Sequence, residues 1–357
     1  MDGFSFPIFK TKTEGVIESF SLDDPEERKK YFEAKASEEI KKIRKFLKRN
    51  TFVGFLLGPK NSGKGTYSKL FAEAVGEKYI RHISVGDIVR DAHKALENGE
   101  EGKEIMDFLE KNYRSSIPLK DAIDAFLGRS TTTLLPTELI LTLVEREITE
   151  SKKKAIFIDG FPRSLDQISY SIYFRALMGY RDDPDFFAFI NVPETIIDER
   201  MKNRVICPEC KTPRSVKFLK TKEICYDKER DEVCLVCDDP KCKGAKYITK
   251  EGDELGIEAV RDRIEADKKV MQTLLKLEGV PKIYLRNAIP VRKAKEKIDD
   301  YEITSCYRYE VNKETGEVKT IQEPWIVKDD EGIDSYSLLP SAIVLSLMKQ
   351  MVDVLEL

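Results

Sequence analysis

Histidine is nearly absent from the chain: only His82 and His93 occur in 357 residues, and neither sits in a motif. Chemistry that turns on an imidazole general base therefore has almost nothing to draw on. Charge of one sign is not in excess either. The 61 lysines and arginines stand against 64 aspartates and glutamates, a net charge of −3, so no basic surplus points to a nucleic-acid partner and any cationic site must be local. No run of about 18 apolar residues could span a bilayer, and residues 1–50 lack the positive start and uninterrupted apolar stretch of a secretory signal. A soluble, cytoplasmic protein without a membrane partner is expected. Cysteine is sparse outside one segment: six of the seven fall between Cys207 and Cys242, and only Cys306 lies elsewhere. In a large cytosolic chain such a cluster suggests metal rather than disulfides.

What is present centres on Leu57-Gly58-Pro59-Lys60-Asn61-Ser62-Gly63-Lys64-Gly65-Thr66. Thr51 to Leu57 has the apolar, partly β-branched character of a buried strand, and Tyr67 to Val75 places Leu70, Phe71, Ala74 and Val75 at helical spacing. A strand, a glycine-punctuated loop and a helix in that order make a phosphate cradle. Gly58 and Gly63 let successive N–H groups turn inward, Lys64 reaches the terminal phosphates, and the helix N-terminus lies behind them. The loop matches G-x-x-x-x-G-K-[ST] except that Gly65 stands where the hydroxyl belongs and Thr66 follows one residue late. Mg²⁺ would then be held mainly by phosphate oxygens and waters, with a carboxylate elsewhere orienting those waters.

Along the chain, Asp24-Pro25-Glu26-Glu27 predicts a helix start, running to about Lys48 with Phe32, Ala36, Ile40, Ile43 and Leu47 as its apolar stripe and its charges in water. Further strands are expected at Tyr79–Ser84, Ala155–Asp159, Phe186–Asn191 and Lys282–Leu285, each followed by helical sequence. Arg200 and Arg204, spaced i,i+4, are expected on one helix face. Cys207-Pro-Glu-Cys210 and Cys234-Leu-Val-Cys237 read as two knuckles whose four thiolates close a tetrahedral, structural zinc site, with Cys225 and Cys242 as spare candidates and Cys242 able to displace Cys237. A hairpin is expected within Tyr301–Val327, turning at Asn312–Gly316, and an apolar helix within Ser337–Leu357 that packs on a core or a partner.

The GKGT ending of the loop, Ser84-Val85-Gly86-Asp87-Ile88-Val89-Arg90, Leu134-Leu135-Pro136-Thr137-Glu138-Leu139 and Asp159-Gly160-Phe161-Pro162-Arg163 with Gln167 resemble the motifs of nucleoside monophosphate kinases, adenylate kinase above all. Resemblance covers about residues 52–300. It implies an α/β P-loop NTPase fold: a doubly wound, five-stranded parallel sheet with an inserted acceptor-binding lobe (residues 91–153) and a metal-bound lid (residues 205–257). Residues 1–50 form a helical extension before this core (51–300), and residues 301–357 form a hairpin-plus-helix extension after it.

By the same resemblance, Gly58, Ser62, Gly63, Lys64, Gly65, Thr66, Arg200 and Arg204 hold the donor nucleotide, Arg200 packing against its adenine and Arg204 reaching its phosphates. Arg90, Leu134, Leu135, Gly160, Arg163, Gln167 and Arg263 hold the acceptor, Gln167 by hydrogen bonds to adenine. Asp159 orients waters on Mg²⁺, and Lys64, Arg163, Arg204 and Arg263 surround the transferred group. Two departures stand out: Val85 replaces a threonine near the acceptor base, and an arginine expected just before Asp253-Glu254 is missing, with Lys250 the nearest cation. The implied reaction is ATP + AMP ⇌ 2 ADP with Mg²⁺, in a monomer of nucleotide biosynthesis carrying structural Zn²⁺, whose terminal extensions have no legible partner. The alternatives are a UMP or CMP kinase, which Val85 keeps open, and a non-catalytic, zinc-stabilised nucleotide-binding protein, which the missing arginine keeps open.

Overall fold

The computed structural model describes residues 6–16, 18–98, 100–129, 136–151, 153–162, 165, 183–249 and 252–357. Its centre is a parallel sheet. Four strands come early: β1 (Val53–Leu57), β2 (Ile80–Ser84), β3 (Ala155–Asp159) and β4 (Asp185–Asn191). The fifth, β10 (Lys282–Arg286), follows the short lid strands β5 (Arg204–Ile206), β6 (Pro213–Ser215), β7 (Ile224–Asp227), β8 (Glu232–Leu235) and β9 (Ile248–Thr249). The order across the sheet is β10-β4-β1-β3-β2, every pairing parallel.

Because side chains alternate along a strand, these apolar runs feed two cores at once. Leu56, Phe157, Phe186, Ala188, Ile283 and Leu285 enter one apolar cluster, while Val53, Phe55, Ile156, Phe187 and Phe189 enter the other. Helices α1 (Pro25–Leu47) and α2 (Lys64–Val75) cover the first face. Helices α3 (Val85–Asn98), α4 (Glu100–Asn112), α5 (Leu119–Phe126) and α6 (Thr137–Glu150) lie between β2 and β3 in sequence. They bury a smaller cluster of their own around Leu109, Ala122, Leu139 and Leu143. The sheet wound on both faces, with a helical lobe and a lid inserted, is an α/β P-loop NTPase fold.

After β4 come α7 (Glu194–Lys202) and, beyond the lid, α8 (Arg261–Leu275). The helix expected to carry both Arg200 and Arg204 ends at Lys202. Asn203 closes it by donating its side-chain amide to the Glu199 carbonyl at 2.8 Å, and Arg204 opens β5 instead. Past β10 the chain adds β11 (Ala288–Pro290), α9 (Val291–Lys297), the antiparallel hairpin β12 (Ser305–Val311) and β13 (Val318–Pro324), the short strands β14 (Ile326–Lys328) and β15 (Asp334–Ser337), and α10 (Pro340–Val354). The expected turn lies between β12 and β13, at residues 312–317. Strand β15 pairs with β11 on one side and β14 on the other, and these strands are too short for periodicity to reveal them.

Both terminal segments pack on the core. Helix α10 buries Ile343, Val344, Leu345, Leu347, Met348 and Met351 against the same cluster as α1 and α2, and each such side chain contributes roughly 1.5–3 kcal/mol. The hairpin rests on the lid: the Tyr307 N–H donates to the Lys217 carbonyl at 2.8 Å, the Tyr309 hydroxyl to the Val216 carbonyl at 2.7 Å, and the Phe218 and Trp325 rings meet with centroids 4.1 Å apart.

The N-cap of α1 is Asp24, as its sequence requires, and all five residues of the expected stripe are buried. Lys35 departs from the expected solvated charges. Its side chain is wholly buried, with Nζ 2.6 Å from Asp299 and 2.8 Å from Glu302. Glu302 also accepts from the hydroxyls of Tyr31 (2.5 Å) and Thr11 (2.7 Å) and from the Asp299 N–H (2.8 Å), so one saturated carboxylate ties residue 11, α1 and the segment after α9 together. Removing one partner of a buried pair leaves the other charge uncompensated. Lys35→Met is therefore expected to cost about 3–5 kcal/mol in urea unfolding, and Lys35→Met/Glu302→Leu to recover part of the loss. A variant with wild-type stability would show that the pair holds nothing.

Candidate active site and metal centre

The loop after β1 turns because two residues take left-handed backbone, Asn61 (φ 65°) and Gly63 (φ 101°). A Cβ on Gly63 would lie 2.9 Å from the Tyr67 ring, and one on Gly58 would meet Ser62 Oγ at 2.8 Å, so both glycines are required by shape, and Gly63 by φ as well. At Gly65 the nearest atom to such a Cβ is His82 Cε1 at 3.7 Å, which leaves room for a side chain. The missing hydroxyl there is thus not imposed by packing. Thr66 is exposed.

Parallel register brings the carboxylate to the loop. Leu56 of β1 pairs with Asp159, the last residue of β3, so the chain leaving β1 rises beside that side chain. Lys64 Nζ lies 3.6 Å from Asp159 and donates to the carbonyls of Gly58 (2.8 Å) and Pro59 (2.9 Å). Burial lowers the Lys64 pKa, Asp159 and Asp267 oppose that effect, and Arg263 adds to it. Gly58, Lys64, Gly160, Arg263 and Asp267 line one small cavity at this edge. Asp267, one helical turn after Arg263 on α8, is a residue that sequence reasoning missed; the i,i+4 spacing was its available signal. His82 was missed too. Its Nε2 lies 3.9 Å from Asp159, and burial lowers its pKa against the pull of that carboxylate.

Arg200 and Arg204 reach the loop from its other side and meet at Asn61. Arg200 donates to the Asn61 carbonyl at 3.5 Å and Arg204 to its side-chain oxygen at 3.3 Å. Arg204 also makes a two-pronged bond to Asp253, 2.6 and 2.7 Å, that pins the start of β5 to the far end of the lid. The Asn61 side-chain nitrogen and the Ser62 hydroxyl are buried without a partner. Buried donors of this kind are costly until an acceptor arrives, and phosphate oxygens are acceptors of the right chemistry. The fit to a polyphosphate is therefore local and specific. Asp159 supplies a hard oxygen suited to Mg²⁺ or its waters.

Arg90 is not brought to this cavity: it is exposed on α3 and pairs with Asp87. Arg163, Gln167, Leu134, Leu135 and Lys250 lie outside the described residues. Within Asp159–Pro162, Gly160 has φ 82° and the Phe161–Pro162 peptide bond is cis.

The cysteine cluster corrects one ligand. Cys207, Cys210, Cys237 and Cys242 place their sulfurs within 4.8 Å of one another, whereas Cys234 is joined to Cys225. The reason is register: β7 and β8 set Cys225 directly opposite Cys234. Lys211 and Lys243, each directly after a cluster cysteine, take left-handed backbone (φ 58° and 50°) that turns the chain around the site. The Cys210 and Cys237 sulfurs are 3.8 Å apart. A tetrahedron with metal–sulfur bonds of about 2.3 Å has edges of about 3.8 Å, the separation of this pair, so the cluster could hold a zinc ion. Hydrogen bonding to Thr212 pulls the Cys210 thiol down to about 6, toward the thiolate that a metal takes.

Comparison with known proteins agrees with this geometry. A family described as an AAA domain matches residues 57–206. The adenylate kinase of Thermotoga neapolitana is 32% identical over 224 residues, 62% of this chain and 83% of that protein. Those of Clostridium tetani (31% over 222 residues, 62% and 83%) and Thermotoga maritima (33% over 208 residues, 58% and 76%) are similar to a like extent.

Two serine variants separate the ligand sets. Cys242→Ser is expected to lower the metal content of purified protein from one equivalent and to loosen the lid in hydrogen exchange, while Cys234→Ser leaves metal content unchanged. The reverse pattern in elemental analysis would restore Cys234 to the site.

Proposed function

The chain belongs to the adenylate kinase family and is a nucleoside monophosphate kinase of that type, and on this premise we propose that it catalyses ATP + AMP ⇌ 2 ADP with Mg²⁺. The observation that carries the reading is the meeting of Lys64, Asp159 and Arg263 at the carboxyl end of β1 and β3, with Arg200 and Arg204 closing on Asn61 from the other side. Ligands of open α/β sheets sit at that edge.

An acceptor phosphate oxygen attacks the γ-phosphorus in line, the new P–O bond forms as the bond to the β–γ bridging oxygen breaks, and ADP leaves with that electron pair. Alignment and charge stabilisation serve this transfer better than a general base, which suits a chain with two histidines. Lys64 and Arg204 hold donor phosphates, and Arg200 packs against the donor adenine. Gly58, Ser62, Gly63, Gly65 and Thr66 line the cradle with backbone and side-chain donors. Arg90 and Arg163 grip the acceptor phosphate, Arg263 lies between the two nucleotides, Gly160 lies under the acceptor, and Leu134, Leu135 and Gln167 meet its base. Asp159 would hold Mg²⁺, whose charge would offset that of the phosphates during the transfer. A zinc ion on Cys207, Cys210, Cys237 and Cys242 would fold the lid and take no part in the transfer. The lid excludes water that would otherwise receive the phosphoryl group.

AMP is the preferred acceptor in this reading. Val85, which kept a pyrimidine acceptor open, is buried in the apolar cluster that holds Ile83, Ile158 and Phe161 instead of standing free to meet a base. The units 1–50, 51–300 and 301–357, with inserts 91–153 and 205–257, are the proposed division of labour, in a cytoplasmic monomer.

Incubation of the purified protein with Mg-ATP and AMP, CMP, UMP or GMP in turn, followed by diphosphate formation, tests the proposal. AMP is expected to give the largest kcat/KM, and Lys64→Ala to reduce kcat about 10²–10³-fold with the fold intact by circular dichroism. Faster turnover of CMP or UMP would reassign the acceptor, and no diphosphate from any of the four would make the protein a nucleotide binder.

A further inference from the structure

Arg200 is a half-buried cation that, among the described residues, has no carboxylate within ion-pair distance. Burial accordingly lowers its pKa, with only the Tyr67 hydroxyl opposing. Neutral groups hold it: the Asn61 carbonyl on one amino nitrogen and Asn287 Oδ1, at 3.3 Å, on the other.

Asn287 is itself buried and every polar atom of its amide is engaged. Oδ1 also accepts from Ser337 Oγ at 3.1 Å, while Nδ2 donates to the Leu338 carbonyl at 3.2 Å and to the Tyr67 hydroxyl at 3.3 Å. The orientation of the amide is forced, because Arg200 can only donate and the Leu338 carbonyl can only accept. The backbone is fixed as well. The Asn287 N–H donates to the Asn191 carbonyl at 2.9 Å, the Leu338 N–H to the Asn287 carbonyl at 2.8 Å, and Ala288 pairs with Ser337 across β11 and β15. The segment carrying Ser337 and Leu338 thus reaches Arg200 through this amide.

We propose that Asn287 and Ser337 are positioning residues for the donor nucleotide: they fix the plane of the Arg200 guanidinium, leave its charge uncompensated, and make the segment carrying β15 part of the donor site. This rests on the reading of Arg200 as the group that packs against the donor adenine. A guanidinium stacks on a ring only when its plane is held, and its attraction for the ring and the nearby phosphates survives only when no carboxylate neutralises it. An amide meets both conditions, and an aspartate at 287 would meet only the first.

Steady-state kinetics on Asn287→Ala, Asn287→Asp, Ser337→Ala, Arg200→Ala and Arg200→Ala/Asn287→Ala test it. Asn287→Ala and Asn287→Asp are expected to raise the KM for ATP about five- to tenfold, and Ser337→Ala, the variant least able to disturb folding, about two- to threefold. In all three, kcat and the KM for AMP should change less than twofold. The double variant should be no worse than Arg200→Ala alone, since both remove one interaction. An unchanged ATP KM in Ser337→Ala and both Asn287 variants, beside an impaired Arg200→Ala, would overturn the proposal and leave the donor reading of Arg200 standing. Equal losses for ATP and AMP, or additive losses in the double variant, would reduce Asn287 to a folding residue and also overturn it. An Arg200→Ala enzyme with wild-type KM for ATP would overturn the reading of Arg200 itself, and the proposal with it.

Discussion

Everything at the nucleotide edge depends on β1 being flanked on both sides by parallel partners. Pairing with β3 sets Asp159 beside the loop, and pairing with β4 directs α7 and its arginine back toward the same loop. A register slip of one residue would turn every side chain of β1 to the opposite core and move the loop away from its carboxylate. The two apolar clusters forbid that slip, because the phenylalanines of β4 already divide between the faces: Phe186 on one, Phe187 and Phe189 on the other. Stability of the core and geometry of the site are therefore one constraint.

The parts of the site that were legible in the sequence are those whose demands are local. Gly63 must take a positive φ, and Asp159 must end a strand; both follow from neighbours in the chain. The parts that escaped depend on partners far away in sequence. Lys35 sits on a helix that reads as a charged surface, yet its carboxylates come 264 and 267 residues later. Asn287 looks like any polar residue after a strand until Ser337 and Arg200 arrive from either side. Cys242 stood as a spare candidate, set against Cys237 and not Cys234, because C-x-x-C spacing favours Cys234, whereas β7 and β8 decide which thiols face each other.

Arg204 illustrates the same limit at shorter range. Its i,i+4 relation to Arg200 was sound arithmetic, but Asn203 ends the helix between them, and the two guanidiniums converge through a strand instead. The outcome resembles the expected one because the loop, and not the helix face, is what both arginines approach. The bond from Arg204 to Asp253 adds a consequence for the lid: the two ends of the inserted segment are held together at the edge of the nucleotide site.

Helix α10 and strand β15 give the order of synthesis a role in assembly. A nascent chain that has emerged only through Asn287 has all five strands of the sheet, yet it lacks the six large apolar side chains of α10 that cover β10 and α2, and nothing yet occupies the position of Ser337 beside Asn287. Until those residues leave the ribosome, the first core cluster stays open to water and Asn287 Oδ1 lacks one of its two donors. The sheet can form early, but its nucleotide edge matures last.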